Sequence, residues 1–204
     1  MGWDIAVAWD LVTGGTSGIG RAAAAGLAGL GADVMITARD ESRGKAAAEG
    51  IQAEVGVGLE VGLLDLSSLD SVRGFAAEYA GTHDRFDVLV NNAGVMTGSR
   101  METPTGWSAR WGQPRGPVPA DPAADRPAGR RRPVAVMMTL LGPLLKSPTT
   151  GAAPIVLLAT QLDDLVGQSL YGSQTRPTQP SRPAQDAQAV ATLWEASERL
   201  AGLA

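Results

Sequence analysis

A short glycine-rich segment constrains this chain more than any other feature. Residues 13–20 read TGGTSGIG and lie between an apolar run and an alanine-rich segment with helical pattern. Gly14 lets the chain turn sharply after a strand, Gly18 lets backbone N–H groups approach a ligand, and Gly20 lets the next helix pack closely. Unpaired N–H groups and the dipole at that helix start favour an anion. The order strand, turn, helix therefore predicts a dinucleotide pyrophosphate site; a tight turn without a ligand is the alternative.

The first 94 residues alternate between strand and helix patterns. The predicted elements are strands at 5–13, 32–38, within 55–64 and at 86–90, with helices at 18–30, 41–54 and 69–80. Gly31 is placed to end the first helix, and Ser68 is placed to cap the third. Asp10 is discordant, because a carboxylate inside a central strand is costly unless it is paired or lies at an edge. The alternation predicts right-handed βαβ units and an α/β fold with a parallel sheet.

The pattern changes after residue 97. Seven of the thirteen prolines and six arginines lie in 104–133, a composition that opposes both helix and sheet. We therefore predict three parts: a dinucleotide-binding βαβαβ half at 1–97, an irregular or disordered segment at 98–135, and a C-terminal helical remainder of the same domain at 136–204. The expected fold is a truncated, doubly wound parallel sheet of Rossmann type with an irregular middle segment.

The C-terminal remainder carries weaker patterns. Residues 134–146 are apolar and fit a short helix or strand. Pro148 is well placed to start a helix that runs to about Thr160. Residues 172–186 are predicted to form a loop. Residues 187–203 repeat apolar side chains at helical spacing, which predicts a C-terminal helix packed on another part of the protein.

Composition argues against several classes of function. The 204 residues carry a net charge of −4, which gives no support for a nucleic-acid partner. Without cysteine there is no disulfide or thiolate metal site, and we predict no metal ligands. The sequence contains no run of 18 apolar residues, the length that a membrane-spanning helix needs. We therefore expect a cytoplasmic protein. His83, the only histidine, and the arginines at 130–132 are interpreted as solvated surface residues.

Four motifs in register resemble those of the short-chain dehydrogenase/reductase superfamily. They are the TGGTSGIG turn, Arg39 after the second strand, Asp65-Leu66 after the third, and Asn-Asn-Ala-Gly at 91–94. The resemblance implies that the aspartate contacts adenine and that the 91–94 turn borders the cofactor. The predicted cofactor-binding residues are Gly14, Thr16, Ser17, Gly18, Ile19, Gly20, Arg39, Asp65, Leu66, Asn91, Ala93 and Gly94. More narrowly, 140–160 and 193–203 resemble the tail of retinol-dehydrogenase-like and protochlorophyllide-reductase-like members.

Arg39 bears on the identity of the dinucleotide. A carboxylate at the end of the second strand would bind a ribose 2′-hydroxyl and favour NAD, whereas an arginine favours the 2′-phosphate of NADP. The chain reads Thr37-Ala38-Arg39, which predicts NADP. Asp40 follows immediately, so NAD stays possible.

The residues that perform the chemistry in the resembled family are missing. That family transfers hydride between NADP and a carbonyl or alcohol, with a tyrosine as general acid/base and a lysine four residues later. Tyr79 is followed four residues later by His83. Tyr171 is followed by Thr175. We therefore predict no catalytic residue, an inactive chain, and a small-molecule substrate only if the chain is active. Loss of this region also makes oligomerisation doubtful.

A reading-frame error is one explanation for the missing residues. Where the family reads Asn-His-x-Gly-x-Phe-Leu-Leu-Thr, residues 113–122 read QPRGPVPADP. Codons for these residues, read one base later, are compatible with the family motif. The hypothesis is that 107–135 is translated out of frame and that a following stretch is deleted. Three functions therefore stay open: an oxidoreductase by descent, a non-catalytic nucleotide-binding remnant, and a decayed or mis-sequenced gene product.

Overall fold

A computed structural model describes residues 4–94, 147–160, 171–173, 176–178 and 185–201. The elements are β1 Trp9–Val12, α1 Gly18–Gly29, β2 Asp33–Ala38, α2 Glu41–Val55, β3 Glu60–Leu63, α3 Leu69–Thr82, β4 Val88–Val90, α4 Pro148–Thr160, β5 Tyr171–Ser173, β6 Arg176–Thr178 and α5 Ala187–Ala201. The predictions for 98–135, the out-of-frame stretch at 107–135, and the short helix or strand at 134–146 lie outside the described residues. The three-part division of the chain therefore stays a prediction.

The first four strands form a parallel sheet in the order β3-β2-β1-β4. β1 lies between β2 and β4, with Leu11 in register with Met35 and Leu89. β2 pairs with β3 from Met35 opposite Glu60 to Ala38 opposite Leu63. Each of these strands is joined to the next strand in the sequence by a helix, as parallel pairing requires. The predicted α/β fold with a Rossmann-like parallel sheet is confirmed.

Helices cover both faces of this sheet. Gly44 of α2 lies against Val61 of β3, while the next strand residue, Gly62, lies against Phe75 of α3. Successive strand residues point to opposite faces, so α2 and α3 lie on opposite sides. The doubly wound arrangement predicted for this part of the chain is therefore present.

The predicted first strand is too long at its start. Ile5–Val7 forms one 3₁₀ turn, and β1 begins only at Trp9. The side chain of Asp4 accepts a hydrogen bond from the Ala6 amide at 3.0 Å. This local cap gives the backbone an alternative to strand pairing, which accounts for the difference.

Capping residues make the helices begin and end close to the predicted positions. α1 ends before Gly31, which has φ +97°. α2 begins after Asp40, whose carboxylate accepts from the Arg43 amide at 2.9 Å. α3 begins after Ser68, whose hydroxyl accepts from the Ser71 amide at 3.3 Å. The predicted cap at Ser68 and stop at Gly31 are confirmed.

The main core lies between the sheet and the helices α1, α2 and α4. Small residues let α1 approach both the sheet and α4. Gly26 of α1 lies against Val156 of α4, and Gly151 of α4 lies against Ile19 of α1. Ala159 of α4 is buried in the same cluster as the α1 alanines. The predicted helix from Pro148 to Thr160 is confirmed, and it belongs to the core of the N-terminal half. The fully buried large residues include Val12, Leu27, Ile36 and Ile51.

His83 is not the solvated loop residue that the sequence suggests. Its side chain is only 11% exposed, and Nε2 lies 3.2 Å from Glu60. The ring stacks on Tyr79 with centroids 4.2 Å apart and meets the edge of Trp9 at 4.7 Å. The prediction is wrong because a polar local sequence does not reveal aromatic partners that arrive from β1 and α3.

Two expectations for the C-terminal part need correction. In the segment 172–186, predicted to be a loop, the described residues include two short antiparallel strands, β5 and β6, with Tyr171 opposite Thr178. The helix predicted at 187–203 is present as α5, yet two of its large apolar side chains are exposed to solvent: Leu193 is 68% and Trp194 67% exposed. None of the helices in the described parts of the chain is long and apolar enough to cross a membrane.

Candidate functional site

The predicted site residues follow the carboxyl ends of four neighbouring strands. The glycine turn follows β1, Arg39 follows β2, Asp65 lies just after β3, and residues 91–94 follow β4. In open parallel sheets, ligands bind at this edge. The sheet order therefore brings motifs from far apart in the sequence to one end of the molecule.

Two glycines of the turn have backbone conformations that favour glycine. Gly14 has φ +67° and Gly18 has φ +58°. The Gly14 amide donates to Thr37 Oγ1 at 3.4 Å, which joins the turn to β2. A Cβ at Gly14 would lie 2.9 Å from the Cα of Ala93. Gly14 therefore permits both the turn and the close approach of the segment after β4.

Thr13 and Asn92 connect the glycine turn to the segment after β4. The buried hydroxyl of Thr13 donates to the Val90 carbonyl at 3.1 Å and accepts from the amides of Asn92 and Ala93, each at 3.0 Å. The side-chain amide of Asn92 donates to the Thr13 carbonyl at 3.0 Å and the Gly14 carbonyl at 3.4 Å. Sequence reasoning selects Asn91, Ala93 and Gly94 but misses Asn92 and Thr13. The neighbouring Asn-Asn pair is the available signal.

Gly20 permits the close packing predicted for the third glycine. A Cβ there would clash with the side-chain nitrogen of Asn92 and lie 2.5 Å from the Gly14 carbonyl oxygen. Gly20 is also buried within the first turn of α1. Its role is therefore to hold the start of α1 against both connecting segments.

The start of α1 is suited to an anion. Ser17 occupies the N-cap position, but its side chain makes no capping hydrogen bond. Among the described residues, no atom would lie within 4 Å of a Cβ at Gly18, so this part of the structure leaves space beside the first amides of the helix. Exposed amides and the helix dipole at such a position stabilise phosphate. The geometry therefore fits a pyrophosphate group.

A cavity of about 500 Å³ lies beside the turn. It brings together three predicted residues, Thr16, Arg39 and Asp65. Its remaining lining residues are Ala38, Asp40 and Arg43. Sequence reasoning misses Arg43, which lies in the first turn of α2, four residues after Arg39.

Two arginines and two carboxylates surround the cavity. Hydrogen bonds from Ser42 and Arg43 hold the pKa of Asp40 below its usual value. Hydrogen bonds from Ser67 similarly lower the pKa of Asp65, and Arg39 adds to this shift. Both carboxylates are thus ionised and already engaged in local hydrogen bonds. Within the described residues, neither cavity arginine forms a salt bridge shorter than 4.0 Å.

The other predicted residues lie outside the cavity lining. Ile19 is 44% exposed, and its side chain lies against Gly151 of α4. Leu66 is half exposed, and its neighbour Asp65 accepts hydrogen bonds from the amide and hydroxyl of Ser67. Residues 91–94 lie at the carboxyl edge of β4, where 91, 93 and 94 are exposed. The sheet order and the position of the glycine turn define a Rossmann-like α/β protein.

Comparison with known proteins identifies the family. Residues 8–108 match the family model described as short chain dehydrogenase. A polyprenol dehydrogenase of Mus musculus is 46% identical over 103 residues, which cover 50% of this chain and 31% of that protein. Retinol dehydrogenase 14 of Homo sapiens is 41% identical over 116 residues, covering 50% of this chain and 34% of that protein. Residues 8–108 therefore belong to the short-chain dehydrogenase/reductase family, as predicted.

Solved structures give matches of similar extent. A metagenomic short-chain oxidoreductase crystallised with NADP is 44% identical, with a TM-score of 0.40, and the match covers 43% of this chain and 39% of that one. The RhlG protein of Pseudomonas aeruginosa, in a complex with NADP, is 39% identical with a TM-score of 0.40, covering 43% and 35%. The chain spans about a third of the length of the curated relatives described above.

Proposed function

We propose that this chain binds NADP at the carboxyl edge of its parallel sheet and does not catalyse hydride transfer. By descent the chain comes from oxidoreductases of the short-chain dehydrogenase/reductase family, which transfer hydride between NADP and a carbonyl or alcohol, but we propose that this activity is lost. The observation that carries the proposal is the cavity in which Arg39 and Arg43 lie beside Thr16, next to the open start of α1.

The two arginines support NADP over NAD. A 2′-phosphate offers several charged acceptor oxygens, and guanidinium groups bind such oxygens through strong, charge-assisted hydrogen bonds. Asp40, which could otherwise compete for a ribose hydroxyl, accepts hydrogen bonds from the Ser42 hydroxyl and the Arg43 amide. Both groups donate to Oδ1, so the start of α2 orients this carboxylate, and the guanidinium groups are the cavity's charged donors.

The remaining site residues would position the dinucleotide. The amides at the start of α1 would hold the pyrophosphate, with Gly18 leaving space for it. Thr13 and Asn92 would fix the segment after β4 against the glycine turn. Asp65 would lie near the adenine end, by resemblance to the family. A bound dinucleotide would supply the hydride acceptor or donor, but this chain has no tyrosine–lysine pair to move the accompanying proton.

Titration calorimetry with NADP and NAD tests the binding proposal. Arg39→Ala should weaken NADP binding about 10-fold to 100-fold, from the roughly 1.5–3 kcal/mol of a hydrogen bond to a charged group. It should leave NAD binding nearly unchanged. Arg73→Ala, which removes an exposed arginine of α3, is the matched control and should change neither. No heat with either dinucleotide, or equal effects of the two variants, would contradict the proposal.

A hydride-transfer assay tests the proposed inactivity. NADPH with simple aldehydes and ketones should show no turnover above background, because general acid/base catalysis alone contributes roughly 10²–10⁴-fold. Oxidation of NADPH at a rate normal for an enzyme would show that another group replaces the missing tyrosine and lysine. A cytoplasmic location and the absence of stable oligomers remain proposals from the sequence.

A decayed or mis-sequenced gene product is the second candidate. The observation favouring it is the compatibility of residues 113–122 with the family motif in the neighbouring reading frame. Resequencing the gene across codons 95–146 tests it. A corrected read that restores Asn-His-x-Gly and a downstream Tyr-x-x-x-Lys would make the natural protein an active dehydrogenase. An unchanged read would leave dinucleotide binding as the activity to test.

A further inference from the structure

Asp10 is a buried carboxylate without a partner among the described residues. It lies in β1, one of the two central strands of the sheet, and is 1% exposed. Within the part of the chain that the structure describes, neither of its carboxylate oxygens has a hydrogen-bond partner. A buried acid in this state is costly when ionised, because water is lost and nothing replaces it.

The neighbours of Asp10 in the sheet are apolar. It is in register with Val34 of β2 and Val88 of β4. Both valines pack in the apolar cluster that α1, α2 and α4 cover. The neutral acid is therefore the form that fits this position.

Helices α1, α2 and α4 cover this face. The charged side chains of α2 (Glu41, Arg43, Lys45, Glu49 and Glu54) are all exposed, so α2 supplies no buried cation beside Asp10. α1 contributes only Arg21, which pairs with Glu54 on α2. α4 contains no charged residue. On β2 the charged residue is Asp33, which is exposed and of the same sign as an ionised Asp10.

The segment before β4 and helix α3 add repulsion rather than attraction. Asp87 repels Asp10, while Arg85 is engaged with Asp87 at 2.6 Å. Tyr79 of α3 lies close enough to Asp10 for the two side chains to interact electrostatically. The other charged residues of α3 are Asp70, Arg73 and Glu78.

The direction in which Asp10 changes the stability of the fold with pH follows from proton binding. Burial, followed by repulsion from Asp87, raises the pKa of Asp10 from 3.8 to about 7. The unfolded chain has the ordinary value, so between these limits the folded state holds one proton more than the unfolded state. Stability is then greatest below the unfolded pKa and falls as pH rises, until Asp10 is ionised in both states. The ionisation of Asp10 therefore raises the equilibrium constant of unfolding about 1000-fold over about three pH units.

We propose that Asp10 is a proton-controlled stability switch in β1. The folded sheet holds the carboxyl in its neutral form, and its ionisation weakens β1 and the glycine turn three residues later. Thr13 is where this effect would reach the site, because its hydroxyl fixes the segment after β4. The inference concerns folding and does not depend on dinucleotide binding.

Urea unfolding of the full chain between pH 5 and pH 8 tests the switch. The wild-type unfolding constant in water should rise about 100-fold over this range, mostly between pH 5 and pH 7. Asp10→Asn keeps the size of the side chain but cannot ionise. The unfolding constant of this variant should therefore lack the rise of about 100-fold with pH that Asp10 contributes in the wild type. Asp33→Asn, at an exposed position of β2, is the matched control and should retain the wild-type trend.

A second measurement protects the test against a variant that does not fold. The ¹³C resonance of the Asp10 carboxyl, followed in the folded wild-type protein, should titrate near neutral pH. Asp10→Leu should be more stable than wild type at pH 8, since it removes the buried charge and fills the same core position. The proposal is overturned if the Asp10 carbon titrates near pH 4, or if Asp10→Asn retains the full wild-type loss of stability.

Discussion

Gly20→Ala tests the packing that holds the glycine turn to the segment after β4. The added methyl group would clash with the side-chain nitrogen of Asn92 and lie 2.5 Å from the Gly14 carbonyl oxygen. The carbonyl belongs to the backbone, so it cannot move aside as a side-chain end could. The substitution should therefore separate α1 from the turn or displace Asn92.

The size of the effect follows from three contributions. Overpacking typically costs about 1–3 kcal/mol. Displacement of Asn92 would weaken its bonds to Thr13 and Gly14, each worth about 0.5–1.5 kcal/mol. Alanine recovers about 0.5–1 kcal/mol of helix propensity. The expected net loss in the free energy of unfolding is about 1–5 kcal/mol.

Urea unfolding followed by circular dichroism measures this loss, with Gly74→Ala as the control. Gly74 also lies in a helix interior, but a Cβ there would meet no atom within 4 Å. Gly74→Ala should therefore raise stability by about 0.5–1 kcal/mol. If Gly20→Ala and Gly74→Ala raised the free energy of unfolding equally, the inference that a methyl group at residue 20 clashes with its neighbours would be wrong.

Two further substitutions test single contacts. Thr13→Val keeps the shape of a buried side chain but removes the acceptor for the amides of Asn92 and Ala93, so the free energy of unfolding should fall by about 2–3 kcal/mol. An unchanged urea midpoint would show that water replaces the hydroxyl. Ser68→Ala removes the cap of α3 and should cost about 1 kcal/mol by the same measurement; hydrogen exchange faster at the start of α3 than at its end would locate the effect.

Local chemistry allows most helix limits to be predicted from the sequence. Ser68 and Gly31 act through the backbone within a few residues of their own position, so their effects are visible in the local sequence. The parallel sheet also follows from local patterns, because consecutive parallel strands need crossover helices. For the same reason the sequence alone places the glycine turn at the end of β1.

Contacts between distant segments do not follow from local patterns. His83 looks exposed in its polar local sequence, yet Trp9 and Tyr79 enclose it. Arg43 lines the cavity only because α2 starts at the end of β2, and its charge alone does not distinguish it from other surface arginines. Asp10 is discordant in the sequence, but whether it is paired depends on neighbouring strands that the sequence does not place.

The packing of α4 on α1 has a consequence for the order of folding. Val156 lies against Gly26, and Ala159 is buried in the core formed by the first 94 residues. These contacts join segments more than a hundred residues apart, which raises the entropic cost of closing the loop between them and slows folding. During synthesis the back of α1 therefore stays uncovered until α4 has left the ribosome. A fragment ending at Gly94 would keep this apolar surface exposed and be prone to aggregate, although it holds every strand of the parallel sheet.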